Sequence, residues 1–85
     1  MTYRIEFAPL ARRQIKKLSR EVQTRIIERV EALASNPRPA GVKKLVSEES
    51  LYRVRVAEYR AVYQIRDREL IVLIVKVGHR REVYS

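Results

Sequence analysis

Two stretches of this 85-residue sequence carry side chains that could handle a phosphodiester: YRVRVAEYR at 52 to 60 and VGHRREVY at 77 to 84. In the first, Arg53 and Arg55 alternate with Tyr52, Val54 and Val56, so both guanidinium groups leave one face of a strand. A short turn at Glu58 brings Arg60 back alongside them. The second stretch supplies His79, the only histidine, followed by Arg80, Arg81 and Tyr84. The planar fork of arginine matches phosphate oxygens. A cluster of such forks stabilises the extra negative charge that develops when a neighbouring 2′-hydroxyl attacks phosphorus. Cleavage also needs one proton to leave that hydroxyl and another to reach the departing oxygen, work usually given to His, Glu or Asp. A single histidine cannot form a histidine pair. Tyr84 is a second candidate, because guanidinium groups around a phenol of ordinary pKa about 10 favour its anion. Read from the residues alone, other roles stay open: a solvated arginine face, a packing tyrosine near the terminus, a strand-end histidine.

The elements that must position these groups follow from the periods of the apolar residues. Tyr3, Ile5 and Phe7 alternate with Arg4 and Glu6, the period of a half-buried strand. Pro9 suits the first turn of a helix, and Leu10 or Ala11, Ile15 and Leu18 continue at helical spacing, with Arg12, Arg13, Lys16, Lys17 and Arg20 on other faces. That basic helix face could track a phosphate backbone or stay solvated. Ser19 is placed to cap a second helix with Val22, Ile26, Val30 and Leu33 on one stripe, stopped by Asn36 and Pro37. After the turn-rich connector NPRPAG at 36 to 41 the period changes to two. VKKLV at 42 to 46 suggests a short strand, SEES a turn, LYRVRV at 51 to 56 a strand, and 59 to 65 another with Tyr59, Ala61, Tyr63 and Ile65 sharing a face. Tyr52, Tyr59 and Tyr63 then read as packing residues. Asp67, Arg68 and Glu69 form the next connection. LIVLIVKV lacks alternation, which predicts a central strand buried on both faces, released by Gly78. The predicted fold is α+β: an N-terminal strand, an α-helical hairpin, and an antiparallel sheet of three to four strands.

Composition bounds the rest. Eighty-five residues, 46% of them hydrophobic, support one core, so residues 1 to 85 are expected to form a single domain. Nineteen Lys and Arg against ten Asp and Glu give a formal net charge of +9, and fourteen of the cations are Arg. That excess favours nucleic acid or an acidic protein as partner. LIVLIV at 70 to 75 is too short to span a bilayer, and MTYRIEF has no signal-peptide apolar region, so no membrane and a cytoplasmic location are expected. With no cysteine, one histidine and scattered carboxylates, neither a metal site nor a cofactor is expected.

The order of elements, the YRVRV-x-x-YR-x-x-Y block at 52 to 63 and the VGHR-x-x-VY block at 77 to 84 resemble the RelE/ParE toxin superfamily of type II toxin-antitoxin systems over nearly the whole chain. The resemblance implies a fold similar to small microbial ribonucleases. It also implies a metal-independent, ribosome-dependent cut of mRNA in the ribosomal A site, leaving a cyclic phosphate and a free 5′-hydroxyl. On that pattern Arg53 and Arg55 grip the scissile phosphate and its neighbours, with Arg81 as a further phosphate contact. Arg60 stabilises the transition state, Arg80 assists the leaving group and Tyr84 accepts the proton. Well-studied RelE proteins often have lysine where this chain has Arg53 and Arg55. Arginine keeps the grip but holds its proton too firmly for exchange, so His79 could take part of the proton transfer. Arg12, Arg13, Lys16 and Lys17 would help dock on ribosomal RNA. The implied partners are the ribosome, mRNA and a RelB-like antitoxin with an acidic or amphipathic helical segment, with operator DNA bound only through the toxin-antitoxin complex. A gyrase-directed, ParE-like toxin without nuclease activity is the alternative. A weakly catalytic homologue that binds antitoxin is a third.

Overall fold

A computed structural model describes residues 2–44 and 51–79. β1 (Arg4–Phe7) leads into α1 (Pro9–Lys16) and α2 (Arg20–Ala32), followed by β2 (Lys43–Lys44), β3 (Leu51–Val56), β4 (Tyr59–Arg66) and β5 (Ile71–His79). The strands form one sheet in the order β1-β5-β4-β3-β2. β2 to β5 run antiparallel to their neighbours, whereas β1 lies parallel on β5, with Ile5 opposite Val72 and Phe7 opposite Ile74. The parallel pairing is possible because the helical hairpin and later strands intervene between the two strands. SEES at 47 to 50 lies outside the described residues.

The helices form where the sequence places their signals. Pro9 opens α1. The Ser19 hydroxyl oxygen accepts the Val22 backbone N–H at 3.3 Å and caps α2. Both helices cover one face of the sheet. Ala11, Ile15, Ile26, Val30 and Leu33 pack there against Val54, Val56, Ala61, Tyr63, Ile65, Val72, Ile74 and Val77. Each Val, Leu or Ile among them contributes roughly 1.5–3 kcal/mol through burial. Tyr3, Ile5, Phe7, Tyr52 and Tyr59 pack at the margin of this core. Tyr63 is fully buried, and its hydroxyl donates to the Pro37 carbonyl at 2.7 Å.

β5 departs from the expected pattern in an instructive way. It is an interior strand, as its apolar run predicts, but it does not end at Gly78: Gly78 pairs with Arg60 and His79 with Tyr59. The register also slips, since Val62 pairs with Lys76 while its neighbour Tyr63 pairs with Ile74. Val75 is therefore an extra residue, a bulge that exchanges the faces of everything after it. Without it, Val72, Ile74, Lys76 and Gly78 would share the helix-covered face. With it, that face receives Val72, Ile74, Val77 and His79, and the other receives Lys76 and Gly78.

Candidate active site

On β3 and β4 the two faces carry opposite chemistry. Register sets Val54 opposite Ala61 on the helix-covered face, and Arg55 directly opposite Arg60 on the other. Opposed residues of an antiparallel pair have Cβ atoms about 4.5–5.5 Å apart, and like charges there are destabilising. Arg53 projects from the same face, two residues along β3. Arg55 Nε donates to the Ala57 carbonyl at 3.2 Å, and an Arg60 guanidinium N–H to the Tyr59 carbonyl at 3.4 Å. These main-chain acceptors orient the guanidinium groups. Together with Gly41 and Lys43, the three arginines line an open cavity of about 220 Å³. Gly78, on that face beside Arg60, adds no side chain to crowd it. Such a cavity can hold an anionic group and favour added negative charge on it.

Arg53, Arg55 and Arg60 are thus brought together as the alternation predicts. The other selected residues are placed differently. Arg80, Arg81 and Tyr84 lie outside the described residues. His79 does not join the arginines: the bulge at Val75 turns it to the helix-covered side. There it borders a second cleft of about 500 Å³ with Gln14, Lys17, Leu18, Tyr59, Val77 and Gly78. Its ring meets Tyr59 edge-on at 5.7 Å, and its Nε2 lies 3.9 Å from a Glu58 carboxylate oxygen. A single bulge inverts the strand phase and so sets His79 apart from the arginine cluster, where it was expected to share proton transfer. Arg12 and Lys16 rim an apolar groove with Phe7, Ile15 and Ile27, Lys17 borders the His79 cleft, and Arg13 is exposed. All four helix cations lie across the sheet from the arginine cavity.

Two features escape sequence reading. Lys43 enters the cavity because β2 sets it directly opposite Arg53. The pairing joins two separate segments of the chain, so no local signal shows it. Behind the cavity runs a polar clamp. The Arg38 guanidinium donates to both Asp67 carboxylate oxygens, at 3.3 and 2.9 Å, and its Nε to the Tyr52 hydroxyl at 3.1 Å. Arg38 also lies 5.4 Å from the Tyr52 ring centroid, Tyr52 stacks on Tyr63, and the Tyr3 hydroxyl donates to Asp67 at 2.6 Å. Hydrogen bonds from Arg38 and Tyr3 hold the Asp67 carboxyl below its ordinary pKa, and the Tyr3 phenol is raised chiefly by its bond to Asp67. Burial pushes the Tyr63 phenol up to about 12. Twenty-nine residues separate Arg38 from Asp67, so no local signal announces the pair.

The family described as the ParE toxin of type II toxin-antitoxin systems, parDE, matches residues 5–84. The chain is 29% identical to the mRNA interferase toxin RelE of Escherichia coli K12 over 89 residues, covering all of this chain and 93% of that protein. Its fold is similar to the free state of an arginine-to-alanine double variant of Escherichia coli RelE. There the TM-score is 0.85 at 28% identity, with 100% and 93% of the two chains covered. It is similar also to the toxin of a RelBE toxin-antitoxin complex from Mycobacterium tuberculosis, with a TM-score of 0.81 at 29% identity and 94% and 100% coverage. With the profile matched almost end to end and the arginine-lined sheet face in place, this chain belongs to the ParE toxin family, within the RelE/ParE superfamily of type II toxin-antitoxin systems.

Proposed function

We propose that this toxin is a ribosome-dependent endoribonuclease that cuts mRNA in the ribosomal A site and is neutralised by a RelB-like antitoxin. The observation that carries the reading is the direct opposition of Arg55 and Arg60, with Arg53 beside them, around one open cavity. Guanidinium groups gathered in this way favour an anion between them, and a phosphodiester supplies one. Arg53 and Arg55 grip the scissile phosphate, and Arg60 meets the charge that grows on its oxygens as the 2′-oxygen adds to phosphorus. The bond from phosphorus to the 5′-oxygen then breaks, leaving a 2′,3′-cyclic phosphate. In this reading Tyr84, as its phenolate, takes the proton from the 2′-hydroxyl, Arg80 stabilises the charge on the departing 5′-oxygen, which takes a proton from water to leave as a hydroxyl, and Arg81 contacts a flanking phosphate. His79 is given no proton, because it stands in the Tyr59 cleft across the sheet. The helix cations Arg12, Arg13, Lys16 and Lys17 serve docking on ribosomal RNA.

The match to the ParE family favours one other reading, a gyrase-directed toxin that leaves RNA intact. A cell-free translation reaction with a defined message separates them when 5′ ends are mapped by primer extension. Ribosome-positioned cuts that vanish in Arg60→Ala and Tyr84→Phe support the nuclease. Intact messages accompanied by inhibited DNA supercoiling sink it and favour the gyrase reading.

A further inference from the structure

The arginine cavity has a fourth cation and a built means of holding it. Among the described residues β2 comprises Lys43 and Lys44, both exposed, at the edge of the sheet. Lys43 pairs with Arg53 and Lys44 with Tyr52, so alternation sends Lys43 to the arginine face and Lys44 away from it. The cavity is consequently lined by two directly opposed cation pairs, Lys43 with Arg53 and Arg55 with Arg60. Cations gathered in this way favour an anion between them. Lys43 is exposed at the edge of the sheet, so its position depends on the chain that leads into β2.

The connector before β2 supplies the restraint. Pro37 is tied to β4 through the Tyr63 hydroxyl, and Arg38 is tied to the β4–β5 connection through Asp67 and to β3 through Tyr52. The Asn36 side chain accepts the Arg38 backbone N–H at 3.2 Å. Gly41 then turns the chain at φ +95°, a conformation that side-chain-bearing residues rarely adopt, and no atom lies within 4 Å of where a Cβ would stand. Glycine is thus demanded there by the turn and not by crowding, and the turn delivers Lys43 to the cavity.

We infer that Lys43 binds a phosphodiester adjacent to the scissile one, and that the Arg38–Asp67 clamp is the device that positions it; this rests on the reading of the arginine face as an RNA-phosphate site. Lys43 and Arg60 stand two strand spacings apart and two residues offset along the strands, roughly 12 Å between backbone positions. That span suits neighbouring phosphates better than a single one.

The test is a titration of ¹⁵N-labelled protein with a trinucleotide 2′-O-methylated throughout, which cannot be cleaved and is too short to reach the helix cations. The amides of Gly41, Lys43, Arg53, Arg55 and Arg60 should shift. Lys43→Gln should weaken binding about threefold to tenfold and lower the salt slope by about 0.7, the release expected for one phosphate contact on a single strand. Lys44→Gln should bind like the parent. Arg38→Gln should weaken binding in the parent but add no further loss in the Lys43→Gln background, since a positioning residue acts through the one it positions. Undiminished affinity of Lys43→Gln, with Arg53→Gln and Arg60→Gln both impaired, would overturn the role of Lys43 and leave the arginine site standing. A further loss from Arg38→Gln in the double variant would overturn the positioning role. If the trinucleotide shifts none of these amides and Arg53→Gln and Arg60→Gln change nothing, the phosphate reading of the whole face falls, and this inference with it. The amide spectrum of each variant reports independently whether it folds.

Discussion

The two faces of β3 and β4 are made from alternate residues of the same strands, yet they answer to different demands. On the helix-covered face, Val54, Ala61 and Tyr63 fit among Ile26, Val30 and Leu33, and each side chain there lowers the free energy of the fold. On the other face the same register opposes Arg55 to Arg60, and the neighbouring ladder opposes Lys43 to Arg53. Those oppositions concentrate positive charge at one place outside the core. The contrast teaches that like charge gathered on an open sheet face marks a place where a ligand can complete the structure. In this chain one strand pair packs a core on one side and gathers cations on the other.

Substitutions on the two faces should therefore move different observables. The largest expected effect is on the packed face: Tyr63→Ala should cost about 3–5 kcal/mol in a denaturant melt, a large share of the stability of a domain this size. Tyr63→Phe, which loses only the bond to the Pro37 carbonyl, should cost about 1 kcal/mol. Next comes the charged face, where Arg60→Ala should lower mRNA cleavage about 10²–10³-fold, the range seen when one charge-stabilising donor is removed. The same variant should lose far less stability than Tyr63→Ala, because Arg60 stands outside the packed core. A loss of activity matched by an equal loss of stability would erase the distinction between the faces.

Titration sharpens the comparison, because the clamp and the buried phenol respond at opposite ends of the pH scale. Asp67 is held below its ordinary pKa in the fold, so its contribution is present above the unfolded value of about 4 and is lost as pH falls through the folded one. Arg38→Gln should flatten that acid limb of a stability curve. The buried Tyr63 phenol is raised to about 12 from 10.0, so its contribution is complete below pH 10 and disappears as pH rises through the folded value. Tyr63→Phe should remove the corresponding part of the alkaline limb. The smallest effect belongs to the tight β3–β4 turn, where Ala57 adopts φ 55°. Ala57→Gly removes a left-handed strain of roughly 1–2 kcal/mol against a larger unfolded-state entropy. A net stabilisation of up to about 1 kcal/mol should appear as a modest rise in melting temperature.

Much of this architecture is legible in the residues because it is local. The alternation of YRVRV fixes that Arg53 and Arg55 share a face and that Val54 and Val56 share the other, whatever the strand pairs with. Ser19 and Pro9 announce helix starts through the orphan N–H groups they satisfy or lack. The net charge of +9 and the cation-rich blocks likewise belong to the sequence alone. Register, bulges and long-range pairs do not, because they are settled by which arrangement satisfies hydrogen bonds and packing across distant segments. Only the folded chain sets Arg55 against Arg60 and Lys43 against Arg53. Only it joins Arg38 to Asp67, lays β1 parallel on β5, and inserts Val75 so that His79 leaves the arginine face for the Tyr59 cleft. The sequence by itself determined which side chains travel together along each strand. The tertiary structure decided which of those groups meet, since a one-residue slip costs nothing in local propensity and reverses every side chain beyond it.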